Sequence, residues 1–383
     1  MKLSDCHNID DFRTLAKARL PWPVFDYIDG AADDELTKAR NTSAFDTVDL
    51  VPDVLAGVAD IDTSCTIMGC RSELPLMLSP TALQRAFHRD GERAVAKAAE
   101  KFGVWFGISS LATHSIEEIA ELTSAPKLFQ LYVHKDKGLN ASMIERCKAA
   151  DFDALALTVD TIVSGKRERC LRSGFTTPPR FSASSLWSYA TRPRWTLDYV
   201  FGPKFRLPNL DGHVSEGTGK AVSIQEYFNT MLDTGMDWDT AARIRQDWGG
   251  TFALKGVMSV ADARRAVEIG ADAIWISNHG GRQLDGSRAP FDQLEEIVDE
   301  VGGKIEIICD GGVRRGTHVI KALCEGATAA SGGRLYLYAL AAAGQEGVER
   351  ALTILREEIE RAMRLMGVTS VQQLNRERLR RRK

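Results

Sequence analysis

The stretch Ala273-Ile274-Trp275-Ile276-Ser277-Asn278-His279-Gly280-Gly281-Arg282-Gln283 decides how the chain is read. Its apolar head is too short for a helix and runs into a glycine turn, so it reads as a buried strand. The turn carries a histidine and an arginine three residues apart, just where the strand ends. Histidine can take a proton near neutral pH, and arginine can grip a carboxylate through two parallel charged hydrogen bonds. Taken alone, the same residues also describe a turn with a solvated charge, so their meaning depends on the rest of the chain.

The strand-then-turn unit recurs. Short apolar runs at residues 74–78, 104–108, 128–132, 154–159, 251–254, 273–276, 305–308 and 328–330 alternate with amphipathic helical stretches such as GERAVAKAAEKFG (91–103), SVADARRAVEIGA (259–271) and FDQLEEIVDEVGG (291–303). Apolar strands separated by helices are the pattern of a parallel sheet, and eight of them close a (β/α)8 TIM barrel of the α/β class. Residues 1–60 are expected to be a helical lead-in that caps the barrel. About ninety residues separate the fourth and fifth strands, against roughly 2 to 6 in an ordinary barrel loop, so 165–235 reads as an insertion. Residues 345–366 are expected to form a long amphipathic helix, followed by a basic tail at 376–383. One catalytic domain, 1–383, is the economical organisation.

Composition narrows the class of function. With 44% apolar and 26% charged residues, the chain has material for a large core. A net charge of -3 argues against a general nucleic-acid binder. The seven cysteines (Cys6, Cys65, Cys70, Cys147, Cys170, Cys309 and Cys324) are scattered and odd in number, which suits reduced thiols and a cytoplasmic setting. The first twenty residues lack the apolar region of a signal peptide, and no run is long enough to span a membrane. Peripheral attachment stays open.

In such barrels chemistry gathers at the C-terminal ends of the strands. The seventh strand runs into Asp310-Gly311-Gly312-Val313-Arg314 and the eighth into Gly332-Gly333-Arg334. Glycines that let backbone N–H groups approach an anion, with arginines beside them, suit a phosphate group. The other strand ends suit a flavin ring. Ser109, Gln130 and Thr158 could bond its pyrimidine edge, and Lys255 would set a cation where the reduced ring is negative. No GxGxxG turn opens a βαβ unit, which argues against a Rossmann-bound dinucleotide.

The substrate side needs a base and a carboxylate clamp. His279 is the candidate base, with Asp160 to orient its imidazole and stabilise the imidazolium. Arg282 and Arg167 would hold the carboxylate, and Tyr27 and Tyr132 would bond carboxylate or hydroxyl oxygens. The other histidines, including His88, His114 and His213, are read as structural or solvated. No metal-binding spacing and no GxSxG are found, so no metal site is expected.

At this point the chain resembles the FMN-dependent L-2-hydroxy-acid oxidase and dehydrogenase family, which includes glycolate oxidase, flavin-type L-lactate dehydrogenase and (S)-mandelate dehydrogenase. The likeness runs from FDYIDGAADDE (25–35) through SPTAL, FQLYV, LTVDT, GKRER, LKGV, SNHGGRQLD and DGGVRRGTHVIKAL to GGRLYLYALAAAGQ (332–345). It implies FMN over the barrel mouth, contacted by Pro80, Thr81, Ala82, Ser109, Gln130, Thr158, Lys255, Ser277, Asp310, Gly311, Gly312, Val313, Arg314, Gly333 and Arg334. Substrate would meet Tyr27, Tyr132, Arg167, His279 and Arg282, with His279 as proton acceptor.

The resemblance further implies oxidation of an L-2-hydroxy acid to the 2-oxo acid, with lactate as first choice. Electrons would pass to a quinone, a cytochrome or O2, and a homo-oligomer, a tetramer, is expected. Leu111 stands where glycolate oxidase carries a tryptophan, which implies a differently shaped pocket. RPRWTLDYVF (192–201), with aromatics interleaved among Arg180, Arg192, Arg194, Lys204 and Arg206, resembles the insertion of membrane-associated members. Contact through 180–210 with the inner face of the cytoplasmic membrane is therefore one expectation, and a loop folded over the active site is the other. Competing readings are an O2-using oxidase that makes H2O2, an (S)-mandelate dehydrogenase, and a barrel that binds a phosphorylated ligand without redox chemistry.

Overall fold

A computed structural model describes residues 1–175, 182–202, 205–210 and 230–382. Arg180, Lys204 and His213 lie outside the described residues.

Eight parallel strands close a barrel: β1 (Leu76–Thr81), β2 (Phe106–Ser109), β3 (Lys127–Leu131), β4 (Ala154–Thr158), β5 (Thr251–Val257), β6 (Ala273–Ile276), β7 (Glu306–Asp310) and β8 (Ala329–Gly332). They pair in sequence order, and β8 pairs with β1. Because helices cover the outer face and side chains fill the inner one, nearly every strand residue is buried, which is why the strands read as continuous apolar runs. Inside the barrel two fully buried tryptophans, Trp105 and Trp275, are accommodated by small neighbours in the same cluster, Ala154, Ala156, Ala253 and Ala329. The hairpin Cys65–Ile67 and Cys70–Ser72 inserts Ile67 and Met68 into that cluster and closes the barrel floor.

The first strand continues past the expected end at residue 78, through Ser79 and Pro80 to Thr81. Pro80 cannot donate to the ladder, and the register shifts between Leu78 and Thr81. Gly107 makes room for the bend: a Cβ there would stand 2.7 Å from Pro80 Cδ.

The lead-in is helical only in its first part, as α1 (Ile9–Arg19), α2 (Trp22–Asp29) and α3 (Leu36–Ser43); the expected helical run to residue 60 gives way to a strand at Val48–Leu50 and an extended segment. Asn8 caps α1 by accepting from the Asp11 N–H. The first barrel helix is α4 (Gly91–Phe102), and the insertion supplies α5 (Glu168–Ser173), α6 (Ala183–Ala190) and α7 (Pro193–Phe201) before α8 (Trp238–Trp248) leads into β5. The last helix, α9 (Arg334–Leu365), begins eleven residues before the expected start at 345. It is broken at Ala343 and Gly344. At Gly344 φ is +62° and a Cβ would stand 2.6 Å from the His88 ring, so the glycine marks a kink fitted around His88. The expected basic tail is also tied down. Leu379–Arg381 pairs antiparallel with Val48–Leu50, and Arg376 and Arg382 bridge to Asp299 and Asp49.

Asp29 fastens the lead-in. Its carboxylate is fully buried and accepts from Arg13 Nε at 2.6 Å, Arg169 Nη2 at 2.7 Å, the Tyr338 hydroxyl at 2.8 Å and Lys38 Nζ at 3.4 Å. Burial opposes its charge, but the bonds from Arg13 and its other donors hold the carboxyl well below the usual carboxylate range. That stabilisation is fully present above the unfolded carboxylate pKa, about 3.9, and is lost as pH falls toward the depressed folded value. Asp29→Asn leaves three cations around a neutral amide and should cost about 3–5 kcal/mol, read as a lower urea midpoint at pH 7. A wild-type midpoint in the variant would refute the role.

Candidate active site

The strand ends meet in a polar network. Lys255, at the end of β5 and 4% exposed, donates from Nζ to Asp310 Oδ2 at 2.5 Å and to Ser277 Oγ at 3.0 Å. Ser277 donates to Asp310 Oδ2 at 2.8 Å, and Ser79 to Asp310 Oδ1 at 2.7 Å. Burial opposes the charge of Asp310, but the Lys255 ammonium outweighs it and keeps the carboxyl below its ordinary range. Ser277 Oγ also accepts from the backbone N–H of His279 at 3.1 Å, so the network fixes where the next residue stands.

His279 has a φ of +58°, an uncommon backbone conformation for a residue with a side chain, in the tight turn His279–Gly281. Its Nδ1 lies 2.9 Å from Asp160 Oδ1 and 3.0 Å from Thr161 Oγ1, while Nε2 lies 3.5 Å from the Tyr132 hydroxyl on the cavity side. A carboxylate at Nδ1 keeps the proton of the neutral ring there, which leaves Nε2 as the free base. Burial works against the charge on Asp160, yet the facing imidazole of His279 keeps its carboxyl lowered. Thr161 also donates to Asp160 Oδ1 at 2.8 Å and so braces both partners. The sequence reading did not single it out, although its place in LTVDT next to Asp160 was the signal.

The two expected clamp arginines stand together. Arg282 donates from Nη1 to the Tyr27 and Gly30 carbonyls at 2.7 and 2.9 Å and lies 4.9 Å over the Tyr27 ring. Burial, then the neighbouring Arg167, pushes the Arg282 pKa down. Arg167 has a buried Nε without a partner. Two crowded cations, one with an unused donor, could seat an anion.

Tyr27, Tyr132, Arg167, His279 and Arg282 all line one cavity at the barrel mouth, which holds about 930 Å³ of space, solvent at its opening included. Pro80, Thr81, Ala82, Lys255, Asp310, Gly311, Gly312, Arg314, Gly333 and Arg334 line the same cavity. Ser109, Gln130, Thr158, Ser277 and Val313 lie buried behind that lining. Ser109 donates to Gln130 Oε1 at 2.9 Å, which leaves Gln130 Nε2 unpartnered, and Thr158 Oγ1 is likewise buried without a partner. Idle polar groups are costly inside a protein, and these two fit the donor-and-acceptor edge of a flavin.

Gly311 and Gly312 have φ of +118° and +76°. A Cβ on Gly312 would stand 1.9 Å from the Asn41 carbonyl oxygen, so the loop lies directly on α3. Asn41 and Asn278 exchange two side-chain bonds at 2.8 and 2.7 Å, a lock the sequence alone did not reveal. Arg334 is already engaged: it donates to the carbonyls of Ile28, Gly280 and Gly30 at 2.9, 2.7 and 2.6 Å, bracing the lead-in over the mouth.

A histidine held by a carboxylate, two half-buried guanidiniums beside it and idle polar groups at the strand ends suit a barrel flavoenzyme that acts on a small acid. Residues 16–381 match the family described as FMN-dependent dehydrogenase, and the chain belongs to that family. FMN is therefore its cofactor, and its reaction is the FMN-dependent oxidation of a 2-hydroxy acid. It is 40% identical over 373 residues to an L-lactate dehydrogenase of Alcaligenes faecalis, covering 96% of this chain and 97% of the relative. It is 39% identical over 372 residues to an L-lactate oxidase of a Nostoc species, covering 96% of each. The monotopic membrane protein (S)-mandelate dehydrogenase superposes with a TM-score of 0.93 at 33% identity, covering 99% of this chain and 100% of that one.

Gly312→Ala should lower FMN occupancy of the purified protein and its thermal midpoint together, because the added methyl pushes the glycine loop off α3. Full occupancy, read from the flavin absorbance per chain, would contradict the packing described.

Proposed function

We propose that the enzyme oxidises an L-2-hydroxy acid with a short side chain, L-lactate first, to the 2-oxo acid and passes the electrons to a quinone. The observation that carries this is the orientation of His279, with Nδ1 on Asp160 and Nε2 toward Tyr132 in a cavity shared with two arginines. Arg167 and Arg282 hold the carboxylate, and Tyr27 and Tyr132 orient the oxygens. His279 Nε2 takes a proton from the substrate, from the α-carbon or from the hydroxyl, and Asp160 stabilises the imidazolium that results. The strand-end residues from Pro80 to Arg334, Lys255 among them, would hold FMN, which would supply the two-electron acceptor.

A short substrate side chain is favoured because protein rings already fill the apolar wall. Tyr27 and Phe87 line the cavity with their rings 6.0 Å apart, and Phe175 backs Tyr27 at 4.8 Å; Leu111, expected to shape the pocket, is buried and does not line it. The lactate enzymes among the relatives support the same choice. The (S)-mandelate dehydrogenase neighbour keeps a larger, aromatic acid as the second reading.

The proposal includes a peripheral seat on the inner face of the cytoplasmic membrane through 180–210. Among the described residues no helix is long and apolar enough to cross a membrane. Trp187 and Phe201 are nevertheless 72% and 80% exposed on α6 and α7, as residues that dip into an interface would be. The homotetramer rests on the family likeness alone.

His279→Gln should slow anaerobic flavin reduction by lactate by about 10²–10⁴-fold while FMN stays bound, since it removes the base and keeps much of the shape. Retained turnover would sink the mechanism. In stopped flow, the reduced enzyme is expected to be reoxidised faster by a quinone analogue than by O2. Rapid reaction with O2 would establish the oxidase reading instead.

A further inference from the structure

A second cleft, with about 1220 Å³ of space including solvent at its mouth, opens between the end of α1, the loop from β1 to α4, and α7. One residue joins it to the active site: Phe87, 2% exposed, lines both cavities. We propose that this cleft seats the ring of the quinone that takes the electrons from the flavin, with Phe87 as the wall between the two. The inference rests on the dehydrogenase reading above and adds the site of the acceptor.

Three features of the cleft suit a quinone. The first is a flat aromatic surface. The Trp195 and Tyr199 rings stack at 5.0 Å and 11°, and Trp195 Nε1 donates to the Ala86 carbonyl at 2.9 Å, which ties the indole to the loop that carries Phe87. The second is an excess of donors. Five arginines, Arg19, Arg85, Arg89, Arg192 and Arg194, line the cleft against two carboxylates, Asp198 and Glu346. Arg192 Nε is buried without a hydrogen-bond partner. Guanidiniums bond carbonyl oxygens and favour the negative charge that a quinone gains as it is reduced. The third is an apolar exit. Leu197, Val200 and Phe201, 55%, 63% and 80% exposed on α7, give a hydrocarbon tail a surface to follow.

His88 adds a proton carrier in the lining. Its Nδ1 lies 3.3 Å from the Asp90 backbone nitrogen and 3.5 Å from the Asp90 carboxylate, which holds the ring at the edge of the cleft. Each turnover removes two electrons and two protons from the hydroxy acid. Both electrons and two protons end on the quinone, whose carbonyl oxygens become hydroxyls, and the cycle closes. A cytochrome or a dissolved oxidant would require neither a stacked aromatic surface nor an apolar exit.

The test uses the full-length FMN-loaded enzyme and a ubiquinone analogue with a short alkyl tail. Arg194→Glu and Tyr199→Ala should each raise the quinone KM by about ten- to a hundredfold, as loss of a charge-assisted bond or a stacked ring would. Both should weaken binding of the analogue to the oxidised enzyme, read by tryptophan quenching. The rate of anaerobic flavin reduction by lactate should not change, which also reports that each variant is folded. The quinone should not compete with the hydroxy acid.

Unchanged quinone KM and binding in both variants would overturn the site, as would strict competition with the hydroxy acid. A defect confined to binding of anionic phosphatidylglycerol vesicles would overturn it too, by making the cleft a headgroup seat. A wild-type enzyme that reduces O2 but no quinone defeats the dehydrogenase reading itself. One that reduces quinone while the variants behave normally defeats only the cleft.

Discussion

The active end of the barrel depends on the buried pair of Lys255 and Asp310. Removing two charges from water costs several kcal/mol per ion, and the mutual attraction offsets this only when the remaining bonding capacity is used. Here it is used. Asp310 also accepts from Ser79 on the first strand and from Ser277 just past the sixth, while Ser79 lies 2.5 Å from Ser331 on the eighth. Five strand ends therefore meet around one carboxylate. Because Ser277 also receives the backbone N–H of His279, the base inherits its position from this ion pair. The left-handed backbone at His279 is held by that bond and by the reciprocal Asn41–Asn278 lock behind it.

A second set of contacts brings the lead-in to the mouth. Arg282 and Arg334 spend donors on the carbonyls of Tyr27, Ile28 and Gly30, at the end of α2. Asp29, between those carbonyls in sequence, gathers Arg13, Lys38, Arg169 and Tyr338 from four other segments. The arginines that read as ligand contacts thus also position Tyr27. That double use explains why a helix far from the strand ends in sequence contributes a residue to the cavity.

The barrel was legible because a strand buried on both faces must be apolar throughout, so each appeared as a short run followed by polar or glycine residues. The cavity was legible because barrel chemistry collects at one end of the strands, which turned eight separate endings into one list. Three features were not. The start of α9 at Arg334 was hidden by Gly332, Gly333 and Gly344, since a glycine needed for close approach or a kink looks like one that marks a loop. The strand Leu379–Arg381 was hidden by the run of arginines around it, which reads as a tail until Arg376, Arg381 and Arg382 are matched to Asp299, Glu295 and Asp49. Thr161 and Asn41 act through partners more than a hundred residues away, a relation that spacing cannot express.

On the proposed reading, the two cavities meet the two demands of the reaction separately. The base must be kept from bulk water, or its proton exchanges and its bond to Asp160 weakens; the lead-in and the rings of Tyr27, Phe87 and Phe175 provide that cover. Electrons must still leave for an acceptor that does not share the substrate's anionic seat. A packed aromatic ring serves both ends, since it excludes water and solutes while electrons can cross its thickness. Phe87 is such a ring, with the carboxylate clamp on one side and the arginine-lined cleft on the other. On the quinone proposal, two reactants of opposite character, a small anion and an apolar quinone, would use the same flavin without competing for one entrance.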